Sequence, residues 1–161
     1  LRHKNSSIIF TGVVDDIWQD TRTNKLIIVD YKSQAKSGRV DKKDYLEDPY
    51  HEGYKLQMNF YAYLLRGIGF DVHPTSYFLV CNAKRDDDGF HKTMNFDEYL
   101  VPYNWTTDGL EEQLDEMVAL MNQHEIPEPN ECCKNCAYSE QYAKAIHHVG
   151  GNGTQRQGSL F

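Results

Sequence analysis

The sequence predicts an α/β (α+β) fold in which helices flank a central mixed β-sheet. Two runs of β-branched and aromatic residues, separated by a short polar segment, predict a pair of strands near the start of the chain. Two later segments carry apolar residues at every third or fourth position, which predicts amphipathic helices. The predicted order is strand, strand, helix, strand, strand, helix, and this order is typical of helices layered on a sheet.

The first two strands are predicted over residues 8–18 and 26–31. Residues 19–25 between them are polar and include Asn24, a residue that favours turns. Both runs are apolar on each of their faces, as expected for strands at the centre of a covered sheet. Because the connection is short, we expect the two strands to form an antiparallel hairpin.

A polar, irregular loop is predicted over residues 34–53, and a helix follows it over residues 54–67. In that helix Leu56, Phe60 and Leu64 recur at every fourth position, and Met58, Tyr61 and Leu65 broaden the apolar surface. Glycines at the end of the segment mark the point where the helix stops.

Two further strands and a second helix are predicted after this helix. The strands cover residues 76–82 and part of 92–101, with a turn at 84–89. The second helix is predicted over residues 107–123. Its predicted inner stripe consists of Leu110, Leu114, Met117, Val118 and Met121.

The C-terminal part is predicted to be mostly irregular. Residues 126–136 form a loop rich in proline and cysteine, and the composition turns polar and glycine-rich from about His147. We therefore expect one domain over residues 1–146 and a flexible tail over residues 147–161. The sequence opens without a methionine, almost directly before the first strand, so we also expect an N-terminal helical part to be missing.

Length and composition exclude several classes of protein. A chain of 161 residues that is 40% hydrophobic and 12% aromatic can bury a core and is not wholly disordered. No apolar run approaches the roughly 20 residues that span a bilayer, and no leader opens the sequence, so the expected compartment is the cytoplasm. The net charge of −7 argues against a protein that coats nucleic acid by charge alone.

The densest basic stretch of the chain follows the second strand. It consists of Lys32, Lys36, Arg39, Lys42 and Lys43. The stretch is either a solvated loop or a surface that contacts phosphate groups, and both interpretations stay open on the sequence alone.

The hairpin register predicts that two carboxylates meet. If the turn is centred on residues 21–24, paired positions add up to 45, and Asp15 then faces Asp30. Side chains opposed on adjacent strands lie roughly 5 Å apart at Cβ. Two carboxylates at that separation on buried strands repel each other and lose hydration. A divalent cation between them removes this cost, and oxygen ligands suit Mg²⁺ or Mn²⁺.

Lys32 lies two residues after Asp30 and therefore on the same face of the strand. An ammonium at this place can hold an attacking water or neutralise charge on a scissile phosphate. Two carboxylates, a metal ion and a lysine together suit phosphodiester hydrolysis. An isolated Asp-x-Lys is usually a solvated strand end, and the argument for a site depends on the segment from Gly12 to Asp15 at the matching register.

Three motifs in this order resemble the RecB-type branch of the PD-(D/E)XK nuclease superfamily, to which the CRISPR-adaptation and AddB-type nuclease domains belong. They are Gly12-Val-Val-Asp15, Val29-Asp30-Tyr31-Lys32 and Gln57-Met-Asn-Phe-Tyr61. The resemblance implies a restriction-endonuclease-like core and a metal-dependent nuclease that hydrolyses DNA. It favours an exonuclease over an endonuclease, acting in recombination, repair, or phage- or CRISPR-related DNA processing.

The resemblance also implies roles for residues of the two strands. Asp15, Asp30 and the Tyr31 carbonyl would be metal ligands, and Lys32 would be the catalytic lysine. The branch usually has an upstream helix whose His or Glu completes the metal shell. His3 lies too close to the first strand to fill that role.

Gln57 and Tyr61 are assigned to the same site by the resemblance. They lie four residues apart and therefore on one face of the predicted helix. There they would brace the catalytic residues or contact the substrate backbone. Without the resemblance, Tyr61 would be interpreted as a core residue.

A cysteine cluster lies near the C-terminus. Cys133 and Cys136 form a C-x-x-C motif with Cys132 beside it, whereas Cys81 lies in an apolar run and is expected to be buried. Thiolates at this spacing bind zinc or an iron–sulfur cluster, but three do not complete a four-ligand site. The resemblance implies a [4Fe–4S] cluster in the full-length protein, and unliganded thiols are the alternative.

The last five residues, Gln157-Gly-Ser-Leu-Phe161, resemble the short peptides with which bacterial DNA-processing proteins bind the sliding clamp. A Leu-Phe pair on a flexible tail can enter an apolar pocket, and the glutamine can form hydrogen bonds at its rim. A plain flexible terminus is the alternative interpretation.

Three functions follow from these observations. The leading hypothesis is a metal-dependent deoxyribonuclease. The second is a catalytically silent module with a nuclease fold that binds DNA or a partner protein. The third, a structural domain organised by the cysteine cluster, does not account for the motifs on the strands.

Overall fold

The first two predicted strands form an antiparallel hairpin in the computed structural model. They are β1, Asp16–Gln19, and β2, Leu26–Gln34. Paired positions such as Asp16 and Val29 add up to 45 along the whole ladder, which confirms the predicted register. The turn between the strands includes Asn24, whose φ of 61° lies in the left-handed region that asparagine tolerates.

The structure describes residues 1–4, 6–85, 87, 92–125 and 127–150, and the backbone alone over 147–150. The chain divides into two compact units, Leu1–Val118 and Ala119–Phe161. Among the described residues, every helix is too short or too polar to cross a bilayer.

Residues 8–15 do not continue β1, so the prediction of a strand over residues 8–18 is wrong at its N-terminal end. Phe10 is buried in a cluster with apolar residues of the later helices instead. Gly12 lies against the Tyr61 ring, where a Cβ atom would be 2.9 Å from Cε1. These contacts direct the segment toward the helices and away from a regular ladder with β2.

Two longer strands complete the mixed sheet. They are β3, Thr75–Ala83, and β4, Phe96–Asn104, and the spatial order is β1-β2-β3-β4. The β2 and β3 strands are parallel, whereas the other two pairs are antiparallel. Residues 86, 88 and 89 of the turn predicted at 84–89 lie outside the described residues.

The segment over residues 34–53 contains two short helical elements, so the prediction of an irregular loop is wrong. Helix α1, Lys42–Glu47, is capped by the Asp41 carboxylate, and Asp48 caps a 3₁₀ turn over Pro49–His51. The caps satisfy backbone N–H groups that short elements would otherwise leave free. The segment also contributes three buried residues, which are Val40, Tyr45 and His51.

Helix α2, Glu52–Gly67, is the crossover that a parallel strand pair needs. It buries Met58, Tyr61, Ala62 and Leu65 against the sheet in the main core, with Ile28, Phe78, Val80 and Val101 opposite. Met58, Tyr61 and Leu65, which were predicted to broaden the apolar surface, are therefore on the face that packs on the sheet, whereas the repeat of Leu56, Phe60 and Leu64 is not. Phe60 and Leu64 pack in the second cluster, and Leu56 is exposed.

Helix α3, Leu110–Met121, forms the second cluster with Phe10 and the flank of α2. Three residues of its predicted inner stripe are buried, namely Leu110, Leu114 and Val118. Met117 and Met121 are exposed, so their assignment to the stripe is wrong. The stripe is narrower than predicted because the buried positions follow a spacing of four residues on a single line.

The second unit contains helix α4, Lys134–Gly150. The helix begins inside the segment 126–136 that was predicted as a loop, and it includes residues 147–150, which were assigned to the tail. Tyr138 and Tyr142 stack on one side of the helix, with ring centroids 6.2 Å apart. Residues 151–161, with the clamp-like peptide, lie outside the described residues, as does Ile126.

Candidate active site

The hairpin places the Asp15 carboxylate beside the end of the buried part of β2. Asp15 directly precedes β1, and its Oδ2 accepts a 2.8 Å hydrogen bond from the Tyr31 amide. The charge of the Asp15 carboxylate contributes to the raised pKa of Asp30, so the two carboxylates lie close together. The predicted meeting of the two carboxylates is therefore present in the structure.

Asp16, the neighbour of Asp15, lies on the opposite face of the hairpin. Its Oδ2 accepts hydrogen bonds from the Tyr31 hydroxyl at 2.6 Å and from Trp18 Nε1 at 3.0 Å. These two hydrogen bonds lower the pKa of Asp16 below its usual value, and the bond from Tyr31 has the larger effect. The strand alternation therefore separates two adjacent carboxylates into different environments, and only Asp15 of this pair shares a face with Asp30.

Asp30 is fully buried in the sheet. Neither of its oxygens accepts a hydrogen bond of regular geometry from the described residues, and the Lys32 ammonium forms an ion pair with Oδ2. Burial raises the pKa of Asp30, the ion pair with the Lys32 ammonium opposes this rise, and the charge of Asp15 adds to it. A buried carboxylate in this state is costly unless a cation or a proton compensates it.

Lys32 occupies the same face of β2 as Asp30, as the sequence predicts. Its side chain retains 18% of its exposure, so the ammonium is largely shielded from solvent. Besides the ion pair with Asp30, Nζ donates a 3.2 Å hydrogen bond to Gln57 Oε1. It also lies 4.4 Å from the centroid of the Tyr54 ring.

Gln57 and Tyr61 extend this arrangement along α2. Gln57 Nε2 donates a 2.7 Å hydrogen bond to the Tyr61 hydroxyl, which donates in turn to the Val13 carbonyl at 2.5 Å. The amide orientation of Gln57 follows from its partners, because an ammonium only donates and its oxygen must face Lys32. The structure thus places both residues of the Q-x-x-x-Y motif at the site.

Three aromatic residues near Lys32 were not predicted as part of the site. Tyr54 was assigned to the start of a helix, and Tyr45 and His51 fell in the segment predicted as a loop. The centroid of the His51 ring lies 5.1 Å from that of Tyr54, on which it stacks, and 4.1 Å from that of Tyr45. The available signal was the position of Tyr54, three residues before Gln57 and therefore on the same helical face.

The donor set fits a hard divalent cation in part. Asp15 and Asp30 offer carboxylate oxygens, and Mg²⁺ is commonly held by one or two carboxylates together with substrate phosphate oxygens. No third His, Cys, Asp or Glu joins them into a cluster within the described part of the chain. His3 lies elsewhere, because its Nε2 is 2.6 Å from Asp115 Oδ1 and its ring packs on Phe10.

The cysteine cluster lies at the start of α4. The Cys136 amide donates to Cys133 Sγ at 3.3 Å, and a hydrogen bond between the two thiols lowers the pKa of Cys133 and raises that of Cys136. Cys132 is exposed, and the described residues contain no group of three metal-binding side chains here. Cys81 is half-buried on β3, so the prediction that it is a buried core residue is wrong in degree.

Comparison with known families agrees with this geometry. No curated protein and no solved structure gives a significant match to the chain. The family model of the PD-(D/E)XK nuclease superfamily matches residues 3–141, which is well over half of the sequence. The mixed four-stranded sheet with flanking helices is consistent with the restriction-endonuclease-like fold of this superfamily. The chain belongs to the PD-(D/E)XK nuclease superfamily.

Proposed function

We propose that the chain is a Mg²⁺- or Mn²⁺-dependent deoxyribonuclease of the RecB-type branch. The observation that carries the proposal is the Asp30 carboxylate, which is fully buried, lacks regular hydrogen bonds from the described residues and lies beside Asp15. Two carboxylates this close together destabilise the folded protein when no cation is bound, and a divalent cation offsets their repulsion. The presence of one shielded lysine at the same place suits the hydrolysis of a phosphodiester.

The residues of the two strands have distinct roles in this proposal. Asp15, Asp30 and the Tyr31 carbonyl would hold the cation, which when bound supplies Lewis-acid activation of the phosphate and of water. The Lys32 ammonium orients the attacking water and compensates the charge that develops on the phosphate oxygens. Because Lys32 follows Asp30 by two residues, it acts from the same face of the sheet.

Gln57 and Tyr61 brace the lysine from helix α2. Gln57 accepts one of the three N–H groups of the Lys32 ammonium and restricts its direction. Tyr61 fixes the Gln57 amide and ties it to the carbonyl of Val13, two residues before Asp15. These residues therefore control geometry and take no proton from the attacking water.

Cleavage of DNA in Mn²⁺ by the wild-type protein, Asp30→Asn and Lys32→Met tests the assignment. We expect each variant to lose at least about 100-fold in rate, because each removes a group that acts on the developing charge. Asp16→Asn is the matched control, since this carboxylate lies on the other face. Cleavage that survives both substitutions would contradict the catalytic role.

Assays with different nucleic acids test whether the protein is an exonuclease and whether its substrate is DNA. We propose an exonuclease that acts on DNA in recombination, repair, or phage- or CRISPR-related processing. Linear and circular DNA of the same sequence, with an RNA of the same sequence beside them, separate the alternatives. Degradation of linear DNA alone supports an exonuclease, whereas cutting of the circle supports an endonuclease and cutting of the RNA alone removes DNA as the substrate.

A catalytically silent module that binds DNA or a partner protein is the second candidate. It is favoured by the absence of a third metal-binding side chain beside Asp15 and Asp30 in the described ranges, and by the net charge of −7. Fluorescence anisotropy with labelled DNA in Ca²⁺ and Mn²⁺ distinguishes the two functions. Binding in both ions without cleavage in Mn²⁺ supports the silent module.

We also propose that Cys133, Cys136 and Cys132 contribute ligands to zinc or to a [4Fe–4S] cluster. The support is that the first two thiols lie together at the start of α4. Metal analysis and visible absorbance of anaerobically purified protein, with Cys133→Ser as the comparison, provide the test. Protein without iron or zinc would remove this proposal.

Two further proposals concern partners and compartment. Gln157–Phe161 would bind a sliding clamp. A pull-down of a replicative clamp by the protein with and without Leu160 and Phe161 tests this binding. Equal binding by the two proteins would contradict it. The protein would act in the cytoplasm.

A further inference from the structure

The Lys32 side chain is held by three groups that come from two elements, its own strand β2 and helix α2. Asp30 lies two residues away on the same strand, Gln57 lies on helix α2, and the Tyr54 ring lies under the ammonium at 4.4 Å from its centroid. A lysine has four rotatable carbon bonds and loses much rotamer freedom when its ammonium is fixed. The three contacts together restrict that freedom before any substrate binds.

The Tyr54 ring is itself supported by a stack of aromatic side chains. The His51 ring is nearly parallel to it, with an interplanar angle of 19° and a centroid distance of 5.1 Å. The centroid of the Tyr45 ring lies 4.1 Å from that of His51 and 5.9 Å from that of Phe78 in the main core. Tyr45 and His51 are buried, so the stack joins the ammonium of Lys32 to the centre of the first unit.

A hydrogen bond fixes the orientation of the middle ring. His51 Nδ1 lies 2.7 Å from the Tyr45 carbonyl oxygen. Because a carbonyl oxygen only accepts, Nδ1 must carry the hydrogen. The 3₁₀ turn that ends at His51 leads directly into α2, so the same turn fixes both the His51 ring and the start of the helix that carries Tyr54.

We infer that Tyr54 is a positioning residue for Lys32, and that its aromatic face, backed by His51 and Tyr45, holds the ammonium toward Asp30 and Asp15. The inference deepens the proposed nuclease function and rests on it for its kinetic part. A cation over an aromatic face is attracted by the ring quadrupole, and the attraction is larger when the cation is shielded from water. Lys32 meets that condition, with 18% of its side chain exposed.

Substitutions of Tyr54 distinguish a role of its aromatic face from a role of its phenolic hydroxyl. Tyr54→Phe keeps the face, so the lysine stays in place and the rate of cleavage is unchanged. Tyr54→Leu and Tyr54→Met remove the face but suit a helix, so the lysine gains freedom. For both we expect kcat to fall about tenfold, as the loss of one shielded cation–π contact allows, with KM changed less than about twofold.

Nuclear magnetic resonance gives a readout that does not depend on activity. The ring current of Tyr54 shifts the Lys32 ε-methylene protons upfield in the wild type and in Tyr54→Phe, and the shift is lost in Tyr54→Leu and Tyr54→Met. Tyr63→Leu, the same change at a half-buried tyrosine of α2 that packs in the second cluster, is the matched control and leaves the shift in place. A wild type that does not cleave DNA any better than Asp30→Asn would contradict the proposed nuclease, whereas the ring-current shift still decides the contact itself.

Two results would overturn the inference. One is a Lys32 ε-proton shift that is the same in the wild type and in Tyr54→Leu or Tyr54→Met. The other is an equal loss of kcat in Tyr54→Phe and Tyr54→Leu, because phenylalanine keeps the aromatic face and the loss would then come from the missing hydroxyl. Circular dichroism melting curves accompany each variant, and Tyr54→Met replaces Tyr54→Leu if the latter does not fold.

Discussion

The Tyr61 hydroxyl donates a hydrogen bond to the Val13 carbonyl at 2.5 Å and thereby joins helix α2 to the segment that leads into Asp15. The same hydroxyl accepts from Gln57, which accepts from Lys32. One series of hydrogen bonds therefore connects the G-x-x-D segment, the helix and the D-x-K strand. A residue that is only 7% exposed, and that would pass for core by composition, thus contributes to the geometry of the site.

Tyr61→Phe tests this connection, because it removes the hydroxyl and keeps the ring. The Val13 carbonyl and the Gln57 amide lose their partner, so we expect the free energy of unfolding to fall by about 1–2 kcal/mol. We also expect kcat for DNA cleavage to fall severalfold, since Gln57 then holds Lys32 less firmly. Urea denaturation and cleavage assays measure the two effects, with Tyr63→Phe on the same helix as control. A Tyr61→Phe protein equal to the wild type in both assays would contradict the connection.

Asp15 and Asp16 provide a matched pair of carboxylates for the metal assignment. Asp15→Asn removes a charge beside Asp30, so we expect it to lower the affinity for Mn²⁺ at least about tenfold and to abolish cleavage. Asp16→Asn changes the same chemical group on the other face, where it contacts the Tyr31 hydroxyl and Trp18, and both properties should stay near wild type. Isothermal titration with Mn²⁺ measures the affinity. Equal losses in the two variants would show that the strand face does not determine metal binding.

The site was predictable to the extent that it depends on local periodicity. The alternation of side chains along each strand and a short polar turn are sufficient to place Asp15 opposite Asp30. The same alternation places Lys32 on the face of Asp30. The four-residue helical repeat likewise places Gln57 and Tyr61 together. These relationships need only the backbone geometry of one hairpin and one helix, and long-range packing does not alter them.

The unpredicted features all depend on contacts between distant segments. The segment at Phe10 and Gly12 reads as a strand from its β-branched residues, but its buried contacts are with α2 and α3. Tyr45 and His51 lie among polar residues in a stretch of low hydrophobicity, and they are buried where Tyr45 packs on His51 and Phe78 and His51 stacks on Tyr54. Local propensity carries no information about such pairings, because tertiary packing decides them.

Tyr45→Phe is expected to stabilise the protein. The Tyr45 hydroxyl is buried and has no hydrogen-bond partner among the described residues. Burial raises the pKa of this phenol, and Tyr54 and Asp30 add to the rise, so the group stays neutral and uncharged at any ordinary pH. Removing an unsatisfied buried hydroxyl recovers its desolvation cost, so we expect the free energy of unfolding to rise by about 1 kcal/mol. Urea denaturation measures this change, and a fall of similar size would show that the hydroxyl has a partner.

The contact of the N-terminal segment with α3 is expected to depend on pH. The Asp115 carboxylate forms an ion pair with Lys4 and a 2.6 Å hydrogen bond with His3. The hydrogen bond from Lys4, and then that from His3, lowers the pKa of Asp115 below its ordinary value of 3.8. A carboxylate whose pKa is lower in the folded than in the unfolded state stabilises the protein above its unfolded pKa. That contribution is lost as the pH falls through the lower, folded value.

Asp115→Asn isolates this contribution, because the amide oxygen can still accept from His3 while the ion pair with Lys4 is removed. We therefore expect the variant to be less stable than the wild type at pH 7. The difference should persist down to about pH 4 and disappear below that, where the wild-type carboxylate becomes protonated. Urea denaturation of both proteins between pH 2.5 and 7 measures the difference, and raised salt should reduce it at pH 7 because the Lys4 side chain is exposed. A difference of equal size at pH 2.5 and pH 7 would show that the charge of Asp115 does not hold the N-terminal segment on the helix.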